Sequence, residues 1–346
     1  MRCLVTGGAG FIGSNFINHM LNAKNAKILN FDKLTYAGNL MNLKKIEANP
    51  DYSFIRGDIC DKETISRVFD KFKPEYIINF AAESHVDRSI IDADKFVLTN
   101  VLGTQNLLKA SLDIGVKKFL QVSTDEVYGS LGANGCFGEE TPLNPHSPYS
   151  ASKAGADMLV KAYHDTYNMP VVITRSSNNY GPYQFPEKLI PLVIANCMSG
   201  KKIPVYGKGQ NVRDWIYVED HCIALENVLY EGREGEIYNI GGKNERRNID
   251  VVKLIIKIIS KLLPEKDIST DMIQYVVDRK GHDFRYALKI SKIKREIGWT
   301  PSVKFEEGLK RTITWYIENQ QWIRSVINKE YLNHYHRNYS SRGILK

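Results

Sequence analysis

A chain of 346 residues, 43% apolar and 25% charged, is long enough for a sizeable core and for about two domains. No run reaches the ~20 apolar residues of a membrane span, Met1 to Gly7 leads into a glycine turn and not a cleavage site, and the five scattered cysteines form no Cys-x-x-Cys pair. A cytoplasmic protein with reduced thiols and no metal is expected, and its net charge of +8, spread over helix surfaces and a basic tail without any concentrated stripe, excludes nucleic acid and favours anionic small molecules.

Short apolar runs of strand length occur at residues 3–5, 27–31, 53–55, 76–80, 119–122 and 171–174. Segments of helical period lie between them, at Phe11 to Leu21, Lys62 to Phe72, Phe96 to Leu112 and Pro148 to Tyr167. Such alternation predicts a parallel sheet covered on both faces. Beyond residue 176 the regularity breaks, with Gly, Pro, Asn and Tyr frequent to residue 216 and a further strand at residues 236–240. Helical period then returns at Ile249 to Leu263 and Phe305 to Ile327. The fold expected is α/β, a Rossmann-type doubly wound parallel sheet with a smaller α/β substrate-binding domain. Residues 1–175, with parts of 217–241, form the first unit, and 176–346 mainly the second.

The first strand runs into Thr6-Gly7-Gly8-Ala9-Gly10-Phe11-Ile12-Gly13 and then a helix. Glycines there permit a tight turn, approach of backbone to a diphosphate and close packing of helix on strand, while the helix amino terminus presents free N–H groups. Asp32 at the end of the second strand suits the ribose hydroxyls of an adenosine and repels a 2′-phosphate, so NAD is expected over NADP, although the adjacent Lys33 leaves a phosphate conceivable. Asp58 is placed for the adenine edge, and Ala81-Ala82 leaves room for the cofactor.

The fifth strand ends in Ser123-Thr124-Asp125-Glu126-Val127-Tyr128, and Tyr149-Ser-Ala-Ser-Lys153 follows. Residues four apart on a helix share a face, so an ammonium at Lys153 lies beside the Tyr149 phenol and favours its ionisation. Read without context, Asp125-Glu126 is equally a solvated, capped turn. Arg213 and Arg279 are the natural diphosphate ligands, because a guanidinium offers paired donors.

The glycine spacing together with Tyr149-x-x-x-Lys153 resembles the extended short-chain dehydrogenase/reductases. Within that branch the chain is similar to the nucleoside-diphosphate-glucose 4,6-dehydratases, to about residue 316. The stretches that carry this are 6–14, 32–40, 81–89, 123–129, 177–183, 185–191, 213–221, 239–242 and 278–283. Thr124-Asp125-Glu126 is the most diagnostic, since the related 4-epimerases lack the adjacent pair. The resemblance implies NAD held by Gly7, Gly10, Phe11, Ile12, Gly13, Asp32, Lys33, Thr35, Asp58, Ile59, Ala81, Ala82, Ser84, Thr99, Tyr149, Lys153 and Asn179. It implies a nucleotide sugar, dTDP-glucose or UDP-glucose, on Ser84, Thr124, Asn178, Lys188, Leu189, Pro204, Tyr206, Arg213, Asn248, Arg279 and His282.

The implied chemistry is oxidation at sugar C4 with Tyr149 as base, loss of water from C5 and C6 with Glu126 as base and Asp125 as acid, and return of hydride to C6. Thr124 would hold O4. A 4-epimerase or nucleotide-sugar decarboxylase needs the Tyr/Lys couple without the acid and base, and a non-catalytic dinucleotide sensor needs neither. Arg175-Ser176 departs from the family pattern on what is expected to be the nucleotide side of the cleft, which leaves dTDP against UDP open. Beyond residue 330 no motif applies, and a solvated or oligomer-contacting tail is expected. A homodimer is implied through the helices Phe96 to Leu112 and Pro148 to Tyr167.

Overall fold

The computed structural model describes residues 1–23, 26–327, 329–340 and 343–345. In chain order its elements are β1 (Arg2–Thr6), α1 (Phe11–Ala23), β2 (Lys27–Asp32), β3 (Tyr52–Arg56), α2 (Lys62–Phe72), β4 (Tyr76–Asn79), α3 (Val86–Ile91), α4 (Ala93–Phe96), a π-helical turn (Val97–Gly103), α5 (Thr104–Ile114), β5 (Lys118–Thr124), α6 (Pro148–Tyr167), β6 (Val171–Ser176) and β7 (Asn178–Tyr180). They continue with α7 (Leu189–Met198), β8 (Ile203–Tyr206), β9 (Val212–Tyr217), α8 (Val218–Glu231), β10 (Ile237–Ile240), β11 (Glu245–Arg247), α9 (Asn248–Leu262), β12 (Ile273–Val276), α10 (Ser291–Ile297), α11 (Phe305–Glu318), α12 (Gln320–Val326) and α13 (Lys329–Tyr335).

Seven parallel strands form the main sheet in the order β10-β6-β5-β4-β1-β2-β3. The order reverses between β1 and β4, where both strands' carboxyl ends open a crevice, the usual ligand position in a doubly wound sheet. Both faces are covered. Phe16, Ile17 and Met20 of α1 pack with Ala224, Leu225 and Val228 of α8 on one side, and Val68, Phe69, Leu107, Leu108 and Val160 of α2, α5 and α6 fill the other. Burying each such large side chain contributes about 1.5–3 kcal/mol.

The second half builds two small sheets, β11-β9-β7 and β12-β8. Around them Val193, Val252, Ile255, Ile259, Phe305, Leu309 and Ile313 make a separate core. Side chains stitch this body to the first: Tyr36 donates to Glu187 at 2.9 Å, Arg88 Nε to the same carboxylate at 3.2 Å, and Trp322 Nε1 to Asn42 Oδ1 at 2.6 Å.

Local chemistry sets the helix starts that matter. Asp61 caps α2 by accepting from Glu63 N and Thr64 N. Ser147 and Ser150 form a reciprocal capping box before α6, with Pro148 in its first turn, and so fix where Tyr149 emerges.

Three expectations need correction. The helix expected over 305–327 breaks at Asn319, whose Nδ2 folds back on Trp315 O at 2.8 Å, and the break turns Trp322 toward Asn42. The helix expected over 96–112 contains a π turn at Val97–Gly103, a wider turn that brings Asn100 inward. Arg175 does not face the cleft: it is buried beneath the sheet, 2.9 Å from Asp157 of α6 and 4.8 Å over the Tyr128 ring, because an apolar site can hold a guanidinium only when it is paired.

The tail also departs from expectation in its described residues. Tyr331, Tyr335 and Tyr339 line up four residues apart and pack inward, and Gly343–Leu345 lies antiparallel to β12 through Val277 N to Gly343 O and Leu345 N to Tyr275 O, both 3.0 Å. Ser341, Arg342 and Lys346 lie outside the described residues.

Removing one partner of the buried Arg175–Asp157 pair strands the other charge, so Arg175→Met should cost about 3–5 kcal/mol in urea unfolding, and adding Asp157→Leu should recover most of it.

Candidate active site

The carboxyl ends of β1, β4, β5 and β6 and loops of the second body enclose one cleft of about 410 Å³. Every residue given a site role from the sequence lines it, Arg213 included and Arg175 not.

Its dinucleotide end is shaped by absent side chains. A Cβ on Gly7, where φ is +68°, would stand 2.6 Å from Ala81 N, and one on Gly13 would stand 2.5 Å from Gly7 O. Phe11, Ile12 and Gly13 open α1 with first-turn amides that have no helical acceptor and face the cleft, as a diphosphate requires. Asp32 is held by Ala9 N at 2.9 Å and Leu34 N at 2.7 Å, and burial raises its pKa against these bonds. Lys33 forms an ion pair with Asp58 at 2.6 Å instead of standing free for a phosphate. These groups fit a dinucleotide whose adenosine ribose has unmodified hydroxyls.

At the centre, Thr124 ends β5 and caps a short 3-10 turn, Asp125–Tyr128, by accepting from Glu126 N at 3.3 Å. The turn sets the two carboxylates side by side at the strand's end. Asp125 is buried, touched by the Thr124 hydroxyl at 3.3 Å, and its Oδ2 has no hydrogen-bond partner among the described residues. Burial first, then the neighbouring Glu126 and Asp214 carboxylates, hold its pKa well above the ordinary carboxylate range. The shift favours the protonated acid in Asp125.

Tyr149 packs edge-on against Phe96 at 6.2 Å. Burial and then the Glu126 charge raise its pKa, the Thr124 hydroxyl opposing them. Lys153 donates to Val122 O at 2.7 Å; burial lowers its pKa to about 8, with Asp157 resisting. In the chain alone the phenol is neutral, and its ionisation needs a further positive charge close by.

At the other end three cations converge, Arg213 buried and Lys188 and Arg279 half-buried. Lys188 Nζ donates to Ser84 O at 2.8 Å. Arg279 lies 3.9 Å from Asp87, and its Nε has no partner among the described residues. Arg213 is stacked 4.3 Å over Tyr286 and gives hydrogen bonds to Val212 O, Asp283 O and Phe284 O. Its guanidinium is thus more committed to backbone than the sequence implies. His282 is kept neutral, burial lowering its pKa to about 4, and its Nδ1–H donates to Asp278 at 2.6 Å. Asn178 Oδ1 and Asn248 Oδ1 are buried without partners among the described residues. Among the described residues no cluster of three His, Cys, Asp or Glu could hold a metal, and no helix is long and apolar enough to cross a membrane.

Supporting residues escaped sequence reasoning. Asn100 bonds Glu83 N at 2.9 Å, Glu83 O at 3.0 Å and Ser152 Oγ at 2.8 Å, tying the loop after β4 to α6. Neutral His221, its pKa lowered to about 3 by burial, donates through Nδ1 to Asn179 Oδ1 at 2.8 Å. Asn79 joins Thr6, Thr104 and Gln121 behind the glycine turn. The only local signal was a polar residue within an apolar run.

The description of the family model that matches residues 4–312 is GDP-mannose 4,6 dehydratase. A dTDP-glucose 4,6-dehydratase of Xanthomonas campestris pv. campestris is 50% identical over 339 residues, 95% of this chain and 96% of the relative. The crystal structure of a dTDP-glucose 4,6-dehydratase from Streptomyces venezuelae with NAD bound superposes with a TM-score of 0.90 at 47% identity, covering 94% of this chain and all (100%) of that one. A UDP-glucose 4-epimerase from Thermotoga maritima shares the fold at a TM-score of 0.84 but only 30% identity, over 92% of this chain and 100% of that one. With a match that runs through both bodies and the carboxylate pair set in the cleft between them, the chain belongs to the GDP-mannose 4,6 dehydratase family, beside the dTDP-glucose 4,6-dehydratases.

Proposed function

We propose that the protein is an NAD-dependent dTDP-glucose 4,6-dehydratase that converts its substrate to the 4-keto-6-deoxy sugar. The observation that carries this reading is the buried Asp125, its pKa held above the ordinary carboxylate range, beside Glu126 in the cleft that holds Tyr149. A 4-epimerase needs the tyrosine but has no use for an acid and a base at C6 and C5. The cofactor, when bound, supplies the acceptor and later the donor of a hydride. Residues of the first body, 1–175 and part of 217–241, hold it, and residues mainly from 176 onward hold the nucleotide sugar.

Tyr149 removes the O4 proton as C4 is oxidised. Lys153, still largely cationic at neutral pH, helps to bring the phenol toward ionisation. The resulting ketone makes C5–H acidic. Glu126 takes that proton while Asp125 delivers its own to the departing C6 hydroxyl, and water leaves. A proton is then returned at C5 as C6 is reduced. Thr124 holds O4, and Arg279, Lys188 and Arg213 offset the diphosphate charge.

We also place this chemistry in a cytoplasmic homodimer. Ile90, Ile91, Val97, Leu98, Leu102 and Met158 are exposed apolar residues on α3, the π turn and α6, and a contiguous patch of this kind marks a protein interface.

Purified protein given dTDP-glucose should yield a product lighter by one water in mass spectrometry, with UDP-glucose turned over more slowly; an isomer of unchanged mass would instead identify an epimerase. Glu126→Gln should still oxidise C4, seen as reduced cofactor by absorbance, yet lose water at least about 100-fold more slowly. Opposite pH limbs are expected for the two steps. Asp125, with its pKa raised, loses the needed proton as pH climbs, so dehydration falls at alkaline pH. Tyr149, also raised, must lose its proton, so cofactor reduction in Glu126→Gln quickens with pH. Sedimentation should show a dimer that Leu98→Glu dissociates.

A further inference from the structure

The loop that leads into α6 lies between the carboxylate turn and the second body. Asn144 N donates to Val127 O at 3.1 Å, so the loop rests on the 3-10 turn that carries Asp125 and Glu126. On its other side a Cβ on Gly281 would stand 3.0 Å from His146 O. Ser147, the next residue along, caps α6 and fixes where Tyr149 emerges.

The His146 side chain spans this junction. Its Nδ1 is 2.6 Å from Asp283 Oδ1, and the Asn144 amide nitrogen is 3.1 Å from its Nε2. With Nε2 accepting from Asn144, Nδ1 carries the proton and donates to Asp283. Asp283 is buried, and its Oδ2 accepts from the Tyr286 hydroxyl at 2.6 Å. One carboxyl group is thus shared between the loop and the cleft wall, and it cannot rotate without breaking a bond. Tyr286 lines the cleft 4.3 Å beneath the Arg213 guanidinium, which itself donates to Asp283 O at 2.9 Å. The proton-transfer groups stand on the loop's side of this chain of bonds, and a cation for the diphosphate stands on the other.

We infer that His146 is a positioning residue for the reaction: through Asp283 it fixes Tyr286 and with it Arg213, and so sets the bound sugar at its distance from Tyr149, Asp125 and Glu126. This rests on the nucleotide-sugar reading above. His146 is not among the residues that line the cleft, and it acts only through its neighbours. Displacing reacting groups by about 1 Å can slow a step about 100-fold while the ligand stays bound, so the effect belongs to turnover more than to affinity.

The test uses the full chain with its cofactor. In His146→Ala, kcat for dTDP-glucose should fall about 10-fold while KM moves less than about threefold. His146→Asn, whose amide N–H stands where Nδ1–H does, should return kcat to within about threefold of wild type, and His146→Gln should not. Tyr286→Phe removes the other bond to Asp283 and should cost about as much as His146→Ala, with the double variant no slower than either alone. Losses that multiply in the double variant would overturn the inference, as would an unchanged kcat, a loss seen only in KM, or no recovery in His146→Asn. If His146→Ala fails to fold by circular dichroism, His146→Gln takes its place in the cycle with bulk retained. A wild-type protein that turns over no nucleotide sugar would sink the proposed reaction and this inference with it, whereas an active wild type with an equally active His146→Ala sinks the inference alone.

Discussion

Two adjacent carboxyl groups held just beyond the carboxyl end of a buried strand impose the main constraint on this molecule. Both cannot ionise cheaply in a water-poor cleft, so burial and mutual repulsion favour the protonated form of Asp125. That outcome depends on geometry more than on composition. Thr124 caps the turn after β5, the capping box before α6 fixes where Tyr149 emerges, and the two elements meet because β5 and α6 are consecutive in one crossover. The far end of the cleft balances the negative centre with Lys188, Arg213 and Arg279, all with Glu126 among the charges that act on them. A substrate with a neutral sugar on an anionic stem matches this division of charge.

Much of this was legible in the linear sequence, and the reason is local. The glycine turn and the Tyr149/Lys153 pair act through spacing within a few residues, and α6 spans the residues its periodicity marks, Pro148–Tyr167. A parallel sheet covered on both faces followed from alternation of strand and helix, whereas its strand order did not. What stayed hidden depends on contacts between distant parts of the chain. Arg175 reads as a cleft residue by its neighbours, Ser176 and Ser177, which do line the cleft. Alternation along a strand points it the opposite way, into the pair with Asp157. The tail matched no motif because its order comes from rings seated on α7, on the loop before it and on β8, none of which adjoins it in sequence.

Supporting polar residues share that difficulty. Asn100, Asn79 and His221 each bond groups brought together only by the sheet and its crossovers. A buried polar group without a partner costs roughly 1–3 kcal/mol, so such residues specify one arrangement and disfavour slipped ones. Asn179 shows the effect: His221, fixed as one neutral tautomer, donates to the amide oxygen, and this orients the amide NH2 toward Ser177 O.

The π turn at Val97–Gly103 has a geometric consequence. An α-helix advances 100° per residue, so one additional residue in a turn changes the phase of everything that follows by about that angle. The rod from Ala93 through Ile114 is continuous in space, yet Phe96 and Asn100 face the site while Leu107 and Leu108 face the sheet, each set in its own angular register. Val97 and Leu98, on the same turn, point to solvent. Length within this stretch is therefore worth more than identity: losing one residue would rotate α5 against the sheet, and no side-chain substitution could undo the misalignment.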